Sequence, residues 1–209
     1  MQSDELLRAK LTALRNDKIP PEELYGLIHD FGHAMFLEAE PDVVTLLNHP
    51  NAQIRCIAIR VLTFHWDVRR HRDELIRLLQ HDPEYEVRSF AARGLGFVFR
   101  ESKDAVVSRA LINIIRDNDE DPYLREAAYK GLRGVWTPVD VKLADIQAEI
   151  QWQKERDKDL DVSRSREEFR DKLWMWRQER LLKIDWEFVE RIERTIQGES
   201  SGSEHSSTR

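Results

Sequence analysis

Three stretches decide the fold: Ile54-Arg55-Cys56-Ile57-Ala58-Ile59-Arg60-Val61-Leu62, Val87-Arg88-Ser89-Phe90-Ala91-Ala92-Arg93-Gly94-Leu95 and Leu124-Arg125-Glu126-Ala127-Ala128-Tyr129-Lys130-Gly131-Leu132. They superpose without a gap as aliphatic-Arg-x-x-Ala-x-x-x-Leu, with the arginines 33 and 37 residues apart. The match extends outward in both directions. Four residues past each leucine stands an aromatic (Trp66, Phe99, Trp136), and upstream lie Leu46-Leu47, Leu78-Leu79 and Ile114-Ile115. A period of this length marks a supersecondary unit that buries its apolar side only against its neighbours.

Each copy reads as a helix pair. Asp82-Pro83 and Asp121-Pro122 supply an N-cap side chain followed by a proline at the first helical position, and His49-Pro50-Asn51 is their looser counterpart. Apolar residues at i, i+3 and i+4 predict a first helix over about 70–80, with Leu75, Leu78 and Leu79. They predict another over about 103–116, with Val106, Val107, Ala110, Leu111, Ile114 and Ile115. On the second helix of each pair, at about 100° per residue, the aliphatic, the Ala, the Leu and the final aromatic fall in one broad sector. The small Ala lets two axes approach closely.

Composition agrees with an all-α chain. Glycine and proline number 8 and 7 in 209 residues, too few for many short strands joined by turns. Charged residues make up 34% and the hydrophobic set 41%, against typical values of roughly 25% and 45–50%, so much of the chain must face water. The net charge of −6 argues against a general nucleic-acid coat. A single cysteine, Cys56, forms no internal disulfide. No apolar run approaches the roughly 18 residues of a membrane span, and the N-terminus has no signal-peptide pattern, so a cytoplasmic location is expected.

Four regions follow. Residues 1–40 read as a capping helix pair, with Leu6, Leu7, Leu11 and Leu14 on one helix. A second, opened by Pro20-Pro21, carries Leu24, Leu27, Ile28, Phe31, Met35 and Phe36. Residues 41–136 hold the three repeats. Residues 141–197 form a Trp-rich helical region: Leu143, Ile146 and Ile150 lie on a narrow stripe, and Ser165-x-x-Glu168 is a capping box. Asp185 is set to cap a last helix bearing Phe188, Val189, Ile192 and Ile196. Residues 198–209 are a polar tail expected to be disordered.

The [VIL]-R-x-x-A-x-x-x-L core, preceded by a D-P type turn and a leucine-rich first helix, resembles HEAT repeats, in particular the short bacterial HEAT-like type. The resemblance implies a right-handed α-α superhelix with extra C-terminal helices, and inter-helix structural contacts for Arg55, Arg88 and Arg125. Proteins of this type are mostly scaffolds and partner-binding modules. A minority are enzymes, among them phycobilin lyase subunits, di-iron deoxyhypusine hydroxylases and alkylpurine DNA glycosylases.

If the second helices line the inner surface of a curved stack, the residue opposite their apolar sector faces a ligand. Five positions after the pattern arginine is about 500°, nearly opposite that sector. The residues there are Arg60, Arg93 and Lys130, all basic in an acidic chain, with Arg100 and Arg133 farther along. They are either solvated charges with acidic neighbours such as Glu86 and Glu126, or a stripe that binds an acidic segment of another protein. Trp174 and Trp176 are candidate partner anchors, or else pack the final helices. The leading expectation is therefore a non-catalytic scaffold or adaptor, with an immunity-type role as one specialised form, and with oligomeric state left open.

Two other classes compete. An alkylpurine-glycosylase-like enzyme would need DNA binding, which the net charge, the acidic run Asp117 to Asp121 and the lack of a clear catalytic Asp oppose. A chromophore lyase or chaperone rests on the repeat type alone. No phosphate loop or nucleophile elbow occurs, Cys56 has no base spaced to activate it, and no catalytic residue or cofactor is expected. His29 and His33 have the i, i+4 spacing of a metal chelate. There is no HExxH and no second pair at a matching repeat position, so no metal site is expected either.

Overall fold

A computed structural model describes residues 2–138 and 184–202. The described residues are helical throughout, without a strand: α1 (Gln2–Arg15), α2 (Pro21–His33), α3 (Glu40–Thr45), α4 (Ala52–Arg60), α5 (Arg72–His81), α6 (Tyr85–Val98), α7 (Ala105–Arg116), α8 (Pro122–Trp136) and α9 (Trp186–Gly202). Successive pairs stack into an α solenoid. The three repeats are α3 with α4, α5 with α6, and α7 with α8, and α2 packs on α4 as α4 packs on α6 and α6 on α8. No described helix is long and apolar enough to cross a membrane.

The repeat positions lie where their side chains require. Ile54, Val87 and Leu124, then Ala58, Ala91 and Ala128, then Leu62, Leu95 and Leu132 are all buried in one continuous seam. Closest approach, however, depends on glycine rather than on the repeated alanine. A Cβ built on Gly96 of α6 would stand 2.4 Å from the Cα of Gly131 on α8, and one on Gly131 would stand 2.5 Å from the Ala92 carbonyl oxygen. Gly134 meets the Gly96 carbonyl oxygen in the same way. Here the two helix backbones touch directly, which only residues lacking Cβ permit.

The pattern arginines join the repeats. Arg88 Nε donates to the Leu79 carbonyl at 2.8 Å, and Arg125 Nε to the Ile115 carbonyl at 3.0 Å. Both acceptors sit in the last turn of the preceding helix, where carbonyls have no intrahelical donor and a cation meets the negative end of the helix dipole. Arg55 donates instead to the His49 and Pro50 carbonyls, in the turn that leads into α4. Two of the three also reach the next repeat: Arg55 grips Asp82 with two 2.8 Å bonds, and Arg88 bonds Glu120.

That grip corrects the helix start expected at Asp82-Pro83. Asp82 is buried with both oxygens turned to Arg55, its Oδ1 accepts from Glu84 N in a short turn, and α6 begins only at Tyr85. Asp121 does cap α8, accepting from the Tyr123 and Leu124 amides, with Pro122 at the first position. Asn51 caps α4 and Asp104 caps α7. Three residues assigned to apolar faces are exposed instead: Leu6, Val106 and Met35. α2 ends at His33, and Met35 turns out with a φ of 50°.

α4 does not end as an α-helix. Val61–His65 forms a π turn, closed by Trp66 N donating to the Val61 carbonyl at 3.0 Å, while Thr63 Oγ1 bonds back to the Ile59 carbonyl. At the other end of the array, Asp185 accepts from Phe188 N, as its cap position requires. α9 buries Val189, Ile192 and Ile196. It docks at the third repeat through Arg116 to Glu193 and through Tyr129 against Phe188, with ring centroids 6.2 Å apart. The helix continues to Gly202, past position 198 where the polar tail was expected to be disordered.

Candidate functional site

The second helix of each pair presents the same two outward positions. Five residues past the pattern arginine come Arg60, Arg93 and Lys130, and all three are exposed. Nine residues past it, one helical turn farther on, come Phe64, Phe97 and Gly134. Phe64 and Phe97 are 37% and 38% exposed, unusual for phenylalanine, and their rings lean together across the first two repeats with centroids 5.1 Å apart. The surface therefore has a basic side chain followed by an exposed ring on each of two adjacent rungs. The aromatic half was legible in the aligned repeats but falls outside both the buried sector and the basic positions, so a search for either alone passes over it.

The five cations differ in their electrostatic surroundings. Arg60 makes no hydrogen bond or ion pair among the described residues. Arg93 lies over the Phe90 ring at 4.7 Å and donates weakly to the Ser89 carbonyl, with no carboxylate on it. Lys130 is paired with Glu126 at 3.0 Å, one turn back on its own helix. Arg100 is clamped by two bonds to Asp67 of the preceding repeat and stacks at 4.9 Å on Phe97. Its pKa is raised, chiefly by the hydrogen bond to Asp67. Arg133 is half-buried. Open positive charge is thus concentrated at Arg60 and Arg93, beside the two exposed rings, rather than spread evenly along a stripe. Trp174 and Trp176 lie outside the described residues.

Other polar groups singled out by their chemistry resolve differently. The Cys56 thiol is pushed up to about 11, mainly by burial and then by Glu86, the opposite of an activated thiolate. Glu40 is a buried carboxylate held by Arg70 and, at 2.7 Å, by His71 Nε2, so it ties the first helices of two repeats together. His29 and His33 do meet, and a third imidazole, His65 of the π turn, lies against them. The His65 pKa is lowered by burial first and then by His33, Arg60 and His29.

Neither the curated proteins nor the solved structures contain a match to the chain. The family model described as HEAT repeats does match, over residues 40–133. That span runs from the buried Glu40 at the start of α3 to the last turn of α8, and contains the carbonyl contacts of all three pattern arginines. Residues 40–133 of this chain are HEAT repeats.

Proposed function

We propose that this protein is a non-catalytic adaptor whose second-helix face binds a segment of another protein that combines carboxylates with an apolar or aromatic side chain. HEAT repeats are in general protein-interaction modules, and the observation that makes the reading specific is the doubled pair Arg60 with Phe64 and Arg93 with Phe97. Two guanidinium groups without a carboxylate attract acidic groups and fix their register. Two exposed rings in contact offer apolar area to a partner side chain, and a partner ring an edge worth about 0.5–1.5 kcal/mol beyond simple burial. Neither group supports the seam, so both are free to serve a partner.

The test is affinity capture from the native cell with the full chain and with a variant carrying Arg60→Glu and Arg93→Glu. Both side chains are exposed, and circular dichroism checks that the variant is folded. The expected result is a retained protein that the variant holds at least about tenfold more weakly, corresponding to about 1.4 kcal/mol, and that salt releases from the wild type. Equal retention by both proteins would refute the proposal, and so would retention of nucleic acid alone.

A further inference from the structure

His29 and His33 stand one turn apart on α2 with their Nε2 atoms 3.0 Å from each other. For that contact to be attractive, one ring must donate a proton that the other accepts. The π turn of the first repeat brings in His65, whose ring centroid lies 4.8 Å from that of His33 and 6.4 Å from that of His29; the first two centroids are 4.2 Å apart. Gly32 makes the meeting feasible. A Cβ there would stand 2.7 Å from Val61 Cγ2 and 3.2 Å from His65 Cγ, so any other residue would push the π turn off α2. His29 and His65 are half-buried and His33 is exposed, which leaves the cluster reachable from solvent.

Three imidazoles on one tetrahedral ion, each bound at about 2.0–2.1 Å, have donor nitrogens about 3.3 Å apart and ring centroids about 5 Å apart. The observed centroid separations bracket that value, and the His29 to His33 nitrogen distance is within a few tenths of an ångström of it. The rings are placed for coordination before they are oriented for it. As they stand, no group of three or more histidine, cysteine or carboxylate side chains among the described residues could hold a metal ion, and the three rings meet edge to face, at 61° to 73°. Rotation of the His65 ring about its side-chain torsions is the movement the site requires.

We propose that His29, His33 and His65 form a three-imidazole site for a divalent ion of the zinc class, with the fourth position open to water or to an incoming carboxylate. An all-imidazole set suits Zn2+, Co2+, Ni2+ or Cu2+ and discriminates against Mg2+ and Ca2+, which take oxygen ligands. Arg60, which acts electrostatically on His65, opposes a cation here, so Arg60→Ala tightens the site. The ion would tie the capping pair to the first repeat. The site stands independently of the adaptor reading above.

The experiment is titration of the full chain with ZnCl2 by calorimetry, with Co2+ as a spectroscopic probe of tetrahedral coordination. The variants are His33→Ala, His65→Ala and His65→Gln, with His81→Ala, an exposed histidine elsewhere, as the control. The expected result is one Zn2+ per chain, with affinity reduced at least about tenfold by each change at His33 or His65 and unaltered by His81→Ala. The Co2+ complex should show tetrahedral visible bands, and Zn2+ should raise Tm in wild type and His81→Ala but much less in the His33 and His65 variants. Absence of stoichiometric binding, or binding that survives His33→Ala, would overturn the site. Binding lost in His33→Ala but untouched by either His65 variant would reduce it to a helical two-histidine chelate and overturn the three-ligand claim.

Discussion

The Arg55 to Asp82 link is the sharpest place to perturb the solenoid, because it is the most buried of the inter-repeat ion pairs. The two side chains are 9% and 3% exposed, against 16% each for Arg88 and Glu120. Asp82→Ala removes two 2.8 Å bonds from a guanidinium that cannot shed its charge, leaving it with only the His49 and Pro50 carbonyls as acceptors. It also deletes the turn bond to Glu84 N. Breaking a buried pair from one side costs about 3–5 kcal/mol, because the surviving charge stays desolvated. A typical domain has about 5–15 kcal/mol in total, so the loss would be plain in a urea unfolding curve followed by circular dichroism. Glu120→Ala, at a wetter site, should cost about 1.5–3 kcal/mol. Replacing both partners with apolar residues, Arg55→Met with Asp82→Leu, should recover most of the Asp82→Ala loss, since nothing charged is then left buried. An Asp82→Ala protein within 1 kcal/mol of wild type on that ~3–5 kcal/mol scale, or a Glu120→Ala protein destabilised more than it, would refute the assignment of the link as the main tie between repeats.

Three further outcomes are expected. Gly96→Ala sets a Cβ against the Gly131 backbone, which cannot rotate away, and should lower stability by about 1–3 kcal/mol or more, whereas Gly26→Ala on α2 meets nothing within 4 Å and should raise it by about 0.5–1 kcal/mol; parallel melting curves check both. Cys56 should resist iodoacetamide at pH 8 and gain reactivity only as pH approaches about 11. Its raised value means that the thiol's contribution to stability is whole below the ordinary thiol range and is lost as pH climbs toward 11, which urea curves across that range would show. Arg116 holds the Glu193 carboxyl below its usual range, chiefly through their hydrogen bond, so the docking of α9 should persist at neutral pH and weaken as acid protonates that group. Hydrogen exchange in α9 reads this directly, and Glu193→Gln should abolish the dependence.

The seam was legible in the sequence because every rung solves the same packing problem with the same residues. Ala58, Ala91 and Ala128 are each fully buried, and Leu62, Leu95 and Leu132 follow one turn later in each copy. Local chemistry was less reliable where a long-range partner competes for the same side chain. Asp82 has the residue type of an N-cap, but a guanidinium 27 residues upstream takes its oxygens, and the cap preference yields to the stronger buried charge pair. The irregular turn after Arg60 had no signature in the apolar pattern, since Trp66 keeps the same offset from its arginine that Phe99 and Trp136 keep from theirs.

What the period conceals is whatever occurs once. The exposed rings fill the ninth position in two copies and give way to Gly134 in the third, where Glu126 also neutralises the cation. The proposed binding face is therefore graded along the array although the seam beneath it is uniform. The histidine cluster is more singular still. Two of its members come from the cap and one from a π turn found in the first repeat alone among the described copies, and no comparison of repeat with repeat could align them. The π turn with Gly32 against it belongs to the first repeat, and the open cations and exposed rings, Arg60 with Phe64 and Arg93 with Phe97, belong to the first two. In a solenoid whose packing positions are constrained at every rung, the residues at liberty to specialise are those that packing does not claim. Their concentration on the first two repeats makes that part of the array the place where Arg60→Glu should cost more partner affinity than a charge reversal at Lys130.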